Sequence, residues 1–221
     1  MATSAPLPLS LFAAGEPAVH DAPAFERHVL DERCWVDVAP GWLAGGDELL
    51  AQLEADLPWK QGRRLMWGNW VDEPRLTCGV GLSRDDTPDI LRAMAAALSA
   101  RYDVAFDSCF CNLYREGADS VAWHSDRLER AERDGKVQVD PLVAIVSLGG
   151  PRQFAMRVKD PAERRGTRAR SWVLHSGDLL VMGGSCQHRW EHSVPKMRNA
   201  PPRMSVTFRH RAPGAEAAPS G

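Results

Sequence analysis

The sequence lacks several features that would assign it to a well-defined class of protein. Its 27 lysines and arginines are balanced by 29 acidic residues, for a net charge of −2, so the whole chain has no basic signature of a nucleic-acid-binding domain. No apolar run approaches the roughly 20 residues of a membrane-spanning helix. The first residues also lack the basic start and long apolar run of a secretion signal. We therefore expect a soluble, cytoplasmic protein.

Cysteine is present in an odd number and without metal-binding spacing. No two cysteines form a C-x-x-C pair, which argues against a zinc knuckle and against a disulfide framework. Cys109 and Cys111 are two residues apart and are predicted to share one face of a strand. A reducing compartment fits this pattern best.

Two amphipathic helices are predicted ahead of a region rich in short strands. One lies within residues 46–59 and ends before Pro58, and the other covers residues 88–102. After residue 103, seven or eight short runs of β-branched and aromatic residues, among them "FDSCFCNLY" and "HRWEHSV", are separated by Gly, Pro and Asp. The pattern predicts a mainly β fold with flanking helices, of the sandwich or jelly-roll type.

The segment "SVAWHSDRLER" places His124 and Asp126 directly after an apolar, aromatic run. Taken alone, this pair is compatible with a salt-bridged surface turn. Downstream, however, the strand-like run "WEHSV" carries His192, and Arg203 follows it. Two histidines and one carboxylate on one face of an iron ion form the facial triad of non-heme Fe(II) oxygenases. The planar fork of an arginine suits the far carboxylate of a 2-oxo acid such as 2-oxoglutarate.

Over roughly residues 55–211 the sequence resembles the AlkB family of Fe(II)/2-oxoglutarate dioxygenases. The similarity lies in strings such as "CNLYREGADSVAWHSD", "SLGGPRQFAMR", "WEHSVPK" and "RMSVTFR", and it is strongest to the branch that acts on single strands. It implies a double-stranded β-helix (jelly roll) with an N-terminal nucleotide-recognition lid. It also implies oxidative demethylation of N-alkylated bases in DNA, and by extension in RNA, as a repair of alkylation damage.

The resemblance implies a role for each matched residue. His124, Asp126 and His192 match the catalytic iron ligands, and the implied cofactors are Fe(II), 2-oxoglutarate as cosubstrate and O2. The residues implied to bind 2-oxoglutarate are Asn112, Tyr114, Arg203, Ser205 and Arg209. Two alternatives stay open, namely that Tyr114 is an ordinary core aromatic and that Arg209 is a surface charge. His188 is interpreted as an ordinary histidine.

Three departures from the family concern substrate and cosubstrate contacts. Ser205 replaces an Asn of the closing arginine motif and can donate only one hydrogen bond. Relatives continue H-x-D with acids that contact the base, whereas this chain has Arg127 and Leu128, so Glu129 is the candidate for that role. Gly79 and Val80 stand where relatives carry an aromatic pair that stacks on the flipped base.

The substrate-binding residues predicted from these motifs are Trp67, Trp70, Arg75 and Glu129. The two tryptophans are candidates to replace the missing aromatics, and hydrophobic packing is the alternative for both. The predicted partner is single-stranded or locally opened nucleic acid that carries methylated bases, bound by a monomer.

The predicted organisation is a flexible segment at 1–23, one dioxygenase domain at 24–211 and a flexible tail at 212–221. Within the domain, the lid covers about 55–85 and the jelly-roll core about 104–211. Two other functions stay open. One is a dioxygenase or hydroxylase with the same iron chemistry that acts on a protein or small molecule. The other is a non-catalytic nucleic-acid binder that retains the fold.

Overall fold

The computed structural model of the protein describes residues 15–126 and 140–210. Its helices are α1 (Gly46–Asp56), α2 (Asp89–Tyr102) and α3 (Cys186–Arg189), with a 3-10 turn at Glu163–Arg165. The strands in these residues are β1 Ala18–Val19, β2 Glu26–Asp31, β3 Cys34–Ala39, β4 Leu43–Ala44, β5 Lys60–Met66, β6 Asn69–Val80, β7 Phe106–Tyr114, β8 Val121–His124, β9 Val143–Gly149, β10 Arg152–Val158, β11 Arg170–Leu174, β12 Leu179–Gly184, β13 Trp190–Val194 and β14 Arg203–His210.

Strands β7 to β14 are divided between two antiparallel sheets, and β10 and β11 are the one consecutive pair in the same sheet. Four of them lie in an eight-stranded sheet with the order β2-β3-β12-β9-β14-β7-β6-β5, and the other four form a sheet with the order β11-β10-β13-β8. A chain that winds back and forth between two facing sheets in this way is a jelly roll. The predicted fold class, mainly β with flanking helices, is therefore confirmed.

The large sheet separates two hydrophobic cores. On its outer face Met204, Val206 and Phe208 of β14 are fully buried, in one cluster with leucines of α1 and α2. The second core lies between the two sheets and includes Phe154, Met156, Leu180, Met182 and Trp190. Because side chains alternate along a strand, the odd-numbered residues of β14, beginning with Arg203, face this inter-sheet space. The fold thus directs polar side chains of β14 into an otherwise apolar interior.

Most of the predicted elements are found where the sequence places them. Helix α1 ends ahead of Pro58, and α2 begins directly after Pro88. Cys109 and Cys111 are both buried on the helix side of β7, and all five cysteines are free. The prediction of a strand over "HRWEHSV" is wrong in its first part, because α3 occupies Cys186–Arg189 and β13 starts at Trp190.

Strands ahead of residue 103 were not predicted and extend the large sheet on both sides. Strands β2 and β3 continue it beyond β12, and β5 and β6 continue it beyond β7. The β5–β6 hairpin lies within the predicted lid, and its tip has positive φ at Trp67 (47°) and Gly68 (81°). Two consecutive positive φ values are what a tight two-residue hairpin turn requires.

Several organisational predictions remain predictions. Strand β1 pairs with β4, so the described part of the 1–23 segment contains a short strand. Residues 1–14, 127–139 and 211–221 lie outside the described residues, and the domain boundaries and the nucleotide-recognition role of the lid are untested. None of the helices in the described ranges has the length and apolar character needed to cross a membrane.

Candidate active site

His124, Asp126 and His192 form a cluster at the open edge of the small sheet. Strands β8 and β13 pair His124 directly with His192, and the two ring centroids are 4.2 Å apart. Asp126 Oδ1 lies 3.8 Å from Nε2 of each histidine. One ligand atom from each residue lies within 4.8 Å of the others. Asp126 is 9% exposed, so a salt-bridged surface turn does not describe this segment.

Asp126 and His124 are each held in place by neighbours. Arg209 Nε donates to Asp126 Oδ2 at 2.9 Å, and the backbone N–H of Asp126 donates to Gln187 Oε1 at 2.9 Å. His124 Nδ1 lies 2.8 Å from the carbonyl oxygen of Ala122. A hydrogen on Nδ1 would be donated to that carbonyl, which leaves the Nε2 lone pair for a metal.

The charges in the cluster suit a divalent cation. Burial raises the pKa of Asp126, but Arg209 and the two histidines outweigh burial and lower the pKa below its ordinary value. Burial lowers the pKa of His192 to about 4, against the attraction of Asp126. At neutral pH the site therefore offers a carboxylate and a neutral buried imidazole, the forms that bind metal. Two imidazoles and one carboxylate fit the donor set of non-heme Fe(II) sites.

The predicted 2-oxoglutarate residues come together on the inner face of β7 and β14. These strands pair Tyr114 with Arg203 and Asn112 with Ser205. Arg203 is 1% exposed, its Nε donates to Ser147 Oγ at 3.1 Å, and its buried Nη1 has no hydrogen-bond partner among the described residues. Burial lowers the pKa of Arg203 to about 10, so it stays charged at neutral pH. A buried cation with an unused donor fits the far carboxylate of 2-oxoglutarate.

Asn112 links the cosubstrate residues to β6. Its Nδ2 donates to Ser205 Oγ at 3.4 Å, and its Oδ1 accepts from Arg75 Nε at 3.0 Å. Arg75 Nη2 lies 3.1 Å from Glu73 Oε2. Of the alternatives, the surface-charge interpretation of Arg209 does not fit its bond to Asp126, and Tyr114 is buried in the inner core beside Arg203.

A cleft of about 1140 Å³ opens beside the cluster. Residues 71–75 of β6 line one side, residues 120–126 line another, and Lys196 lies at the rim. Arg75 is therefore in a cleft wall, as a substrate contact would be. His124 is the most exposed of the three cluster residues, at 38%, and it also lines this cleft.

Of the other predicted substrate residues, the two tryptophans are not in the cleft wall. Trp67 and Trp70 belong to the hairpin tip and are 92% and 62% exposed, so hydrophobic packing does not account for them. Neither indole lines the cleft. Glu129, together with Arg127 and Leu128, lies outside the described residues.

Two contacts in the site were not found from the sequence. Gln187, which holds the Asp126 backbone, carries no motif. Phe110 pairs with Gly79 across β6 and β7, and a Cβ on Gly79 would lie 3.9 Å from the Phe110 ring. The Arg209 guanidinium carbon is 5.8 Å from the centre of that ring. An aromatic ring thus lies beside the position where relatives carry their stacking pair, on the neighbouring strand.

Comparison with known proteins connects this geometry to a family. The model of the 2OG-Fe(II) oxygenase superfamily matches residues 71–209. The human protein named alpha-ketoglutarate-dependent dioxygenase alkB homolog 3 is 34% identical over 189 residues, covering 78% of this chain and 64% of the human protein. Its mouse counterpart is 32% identical over 198 residues, covering 81% of this chain and 67% of the mouse protein. The DNA oxidative demethylase ALKBH2 of Arabidopsis thaliana is 30% identical over 193 residues, covering 71% of this chain and 59% of that protein.

Solved structures share the fold at low sequence identity. OsALKBH1 superimposes with a TM-score of 0.55 and 16% identity, covering 84% of this chain and all of that one. A Pseudomonas putida prolyl-4-hydroxylase gives a TM-score of 0.53 and 16% identity, covering 80% of this chain and 92% of that one. These two neighbours support the jelly-roll architecture.

Proposed function

Because this chain belongs to the AlkB family of 2OG-Fe(II) oxygenases, we propose that it is an Fe(II)- and 2-oxoglutarate-dependent dioxygenase that demethylates N-alkylated bases in nucleic acid. The observation that carries the proposal is the His124–Asp126–His192 cluster, of which His124 and Asp126 line a cleft, together with the buried Arg203, whose Nη1 has no hydrogen-bond partner among the described residues. The chain spans about 64% of the human relative and 59% of the plant relative.

Different residues of this chain would bind the metal and the cosubstrate. His124, Asp126 and His192 would hold the iron, which supplies the oxidising chemistry together with 2-oxoglutarate and O2 when all are bound. Arg209 keeps the Asp126 carboxylate oriented and anionic. Arg203 binds the far carboxylate of 2-oxoglutarate, and its burial keeps water from competing for the same hydrogen bonds. These fixed contacts orient the cosubstrate before any substrate arrives.

The proposed substrate is a methylated base in single-stranded or locally opened nucleic acid. A base inside a duplex cannot reach a cleft of this kind unless it leaves the stack. Lys196 and Arg64 lie at the cleft and are candidates for phosphate contacts, which suits a chain without an overall basic charge. The exposed Trp67 and Trp70 are candidates to stack on bases next to the cleft.

A survey of methylated oligonucleotides tests this proposal. Single-stranded DNA, single-stranded RNA and duplex DNA, each with one N-methylated adenine or cytosine, are incubated with protein, Fe(II), 2-oxoglutarate and O2. Mass spectrometry should show loss of the methyl group from a single-stranded substrate, and none from the same strand without 2-oxoglutarate. Methyl groups that survive in every oligonucleotide would contradict the proposal.

The alternative substrate class is a protein side chain or a small molecule. Its support is the replacement of the family's stacking pair by Gly79 and Val80, which weakens the match to a base pocket. Succinate release that is stimulated by a protein or metabolite fraction, with every methylated oligonucleotide left intact, would favour this alternative.

A further inference from the structure

Arg152 is a second buried arginine near the cosubstrate residues, and no motif assigned it a role. It is the first residue of β10 and is 1% exposed. Its Nη1 lies 3.5 Å from the carbonyl oxygen of Asp119, and its Nη2 donates to the carbonyl oxygen of Glu116. Its Nε is buried and has no hydrogen-bond partner among the described residues. One donor of this guanidinium is thus unused in the interior.

Arg152 and Arg203 both interact with Tyr114. Arg203 is paired with Tyr114 across β14 and β7, and its guanidinium carbon is 5.2 Å from the centre of the Tyr114 ring. Arg203 is also paired with Gly149, the last residue of β9, and Arg152 follows three positions later. The ends of β7 and β9 and the starts of β10 and β14 therefore bring two buried guanidinium groups together.

Neither guanidinium has a carboxylate of its own among the described residues. Asp119 attracts Arg152 electrostatically, but both of its carboxylate oxygens accept hydrogen bonds from Arg115, at 2.8 and 3.0 Å. The polar side-chain contacts of Arg203 are the neutral hydroxyls of Ser147 and Tyr114. Buried charges are normally paired, so two unpaired cations in one interior indicate a site for an anion.

The electrostatics agree with this arrangement. Burial lowers the pKa of Arg152, while Tyr114 and Asp119 act in the opposite direction. Burial is also the main cause of the lowered pKa of Arg203, and repulsion from Arg152 adds to it. The Arg203 cation is therefore less stable in the presence of Arg152. An anion bound between them would remove that repulsion.

We propose that Arg152 is a second cation of the pocket for the far carboxylate of 2-oxoglutarate and determines its selectivity for a dicarboxylate. A carboxylate has about four acceptor positions, which is enough for Arg203, Tyr114 and Arg152 together. A 2-oxo acid with a methyl group at its far end leaves both cations unpaired, so Arg152 acts against that ligand. This inference uses the cosubstrate of the proposed function but not its nucleic-acid substrate.

Binding titrations without oxygen test the role of Arg152. The ligands are 2-oxoglutarate and 2-oxopentanoate, which has the same carbon chain but no far carboxylate, each titrated into Mn(II)-loaded protein. Arg152→Met should raise the Kd of 2-oxoglutarate about tenfold or more, the range for a hydrogen bond to a charged group. The Kd of 2-oxopentanoate should stay the same or fall. An unchanged Kd for 2-oxoglutarate, or an equal increase for both ligands, would overturn the proposal.

A second variant separates the charge of Arg152 from its contacts with the loop after β7. Arg152→Lys keeps the charge but cannot reproduce the two-pronged donation to the Glu116 and Asp119 carbonyls. It should retain more of the discrimination between the two ligands than Arg152→Met does. Equal loss of discrimination in both variants would assign Arg152 to holding that loop, and would also overturn the proposal.

Arg157→Met is the matched control because it removes an arginine from the same strand. Arg157 is paired with Glu191 and not with the cosubstrate residues, so its Kd for 2-oxoglutarate should match that of the wild type. Thermal melting of each unliganded variant verifies folding before titration. The titrations contain no oligonucleotide, so a failed demethylation assay would not change their interpretation. A failed titration would likewise not change the interpretation of the demethylation assay.

Discussion

The inner face of the jelly roll and the tip of the β5–β6 hairpin differ in burial and in the number of contacts that hold each side chain. Arg203 is 1% exposed and is fixed by Ser147 and Tyr114, whereas Trp67 at the hairpin tip is 92% exposed. The interior residues match the family's motifs except at Ser205, which replaces an Asn. The other departures from the family, at residues 79–80 and 127–129, concern residues assigned to the substrate.

This difference indicates how the two regions are constrained. A metal and a small dicarboxylate need fixed ligands in a dry interior, so their residues lie on paired strands with little freedom. A nucleic acid that arrives from solvent can be contacted by exposed aromatic and basic groups on a hairpin. Substitutions in the interior should therefore weaken binding of the metal or of 2-oxoglutarate. Substitutions at the hairpin tip should change the affinity for nucleic acid alone.

The largest expected effect is in the metal cluster. Asp126→Ala removes the only anionic side chain of the three and should abolish succinate formation, as measured by mass spectrometry. The matched control is Asp86→Ala, which removes a carboxylate from an exposed pair with Arg84 and should leave turnover unchanged. Full turnover with normal iron content in Asp126→Ala would show that the cluster is not the metal site.

Arg209→Met should have the next largest effect because it removes the hydrogen bond to Asp126 Oδ2. Loss of a residue that orients a metal ligand typically weakens metal binding about 10–100-fold. Titration with Mn(II) measures the change, with Arg84→Met as the control on an exposed arginine. Equal Mn(II) affinity in the Arg209 variant and the wild type would show that Arg209 does not support metal binding.

Arg203→Lys tests whether binding of 2-oxoglutarate in the interior depends on the planar shape of the arginine. Lysine keeps the charge but loses the planar fork, so 2-oxoglutarate affinity should fall roughly tenfold or more, the range for hydrogen bonds to charged groups. Arg92→Lys, an exposed helix arginine paired with Asp89, is the control. An unaltered apparent KM for 2-oxoglutarate would assign the far carboxylate to another residue.

The hairpin should show the smallest and most selective effect. Replacing Trp67 with Ala removes a face on which a base can stack, and binding of a methylated oligonucleotide should weaken by about 1–3 kcal/mol. Trp70→Ala tests the second indole in the same way. Leu65→Ala, on the same hairpin and 58% exposed, removes apolar area without an aromatic face.

The Kd for 2-oxoglutarate should stay at the wild-type value in all three hairpin variants, because their side chains do not contact the inner face. If neither tryptophan variant changes demethylation, the pocket holds its substrate in another way. A substrate other than a methylated base would then become the better proposal.

Sequence reasoning succeeded where function and strand pattern coincide. The run "FDSCFCNLY" became β7, in which buried and partly buried residues alternate from Cys109 to Leu113, and the prediction that Cys109 and Cys111 share one face of a strand is confirmed. Motif spacing also brought His124, Asp126 and His192 together, because both histidines lie on strands. Such features are local in sequence or belong to a known motif.

The remainder could not be predicted because it depends on the pairing of distant strands. Gln187 reaches the Asp126 backbone across 61 positions of sequence, and its contact depends on the short helix α3 that replaces part of a predicted strand. The buried strand β3 lies ahead of both predicted helices and joins the sheet beside β12. Periodicity identifies a strand but not its neighbour or its register. The pairing of Phe110 with Gly79 therefore could not be predicted either.

The most direct test measures succinate and demethylated base in the same reaction. Wild-type protein with Fe(II), 2-oxoglutarate, O2 and a methylated single-stranded oligonucleotide should yield one repaired base for each additional succinate formed when the oligonucleotide is present. That result would couple the chemistry of the interior to a base delivered at the cleft. Succinate formation that the oligonucleotide does not change, with every methyl group intact, would contradict the account.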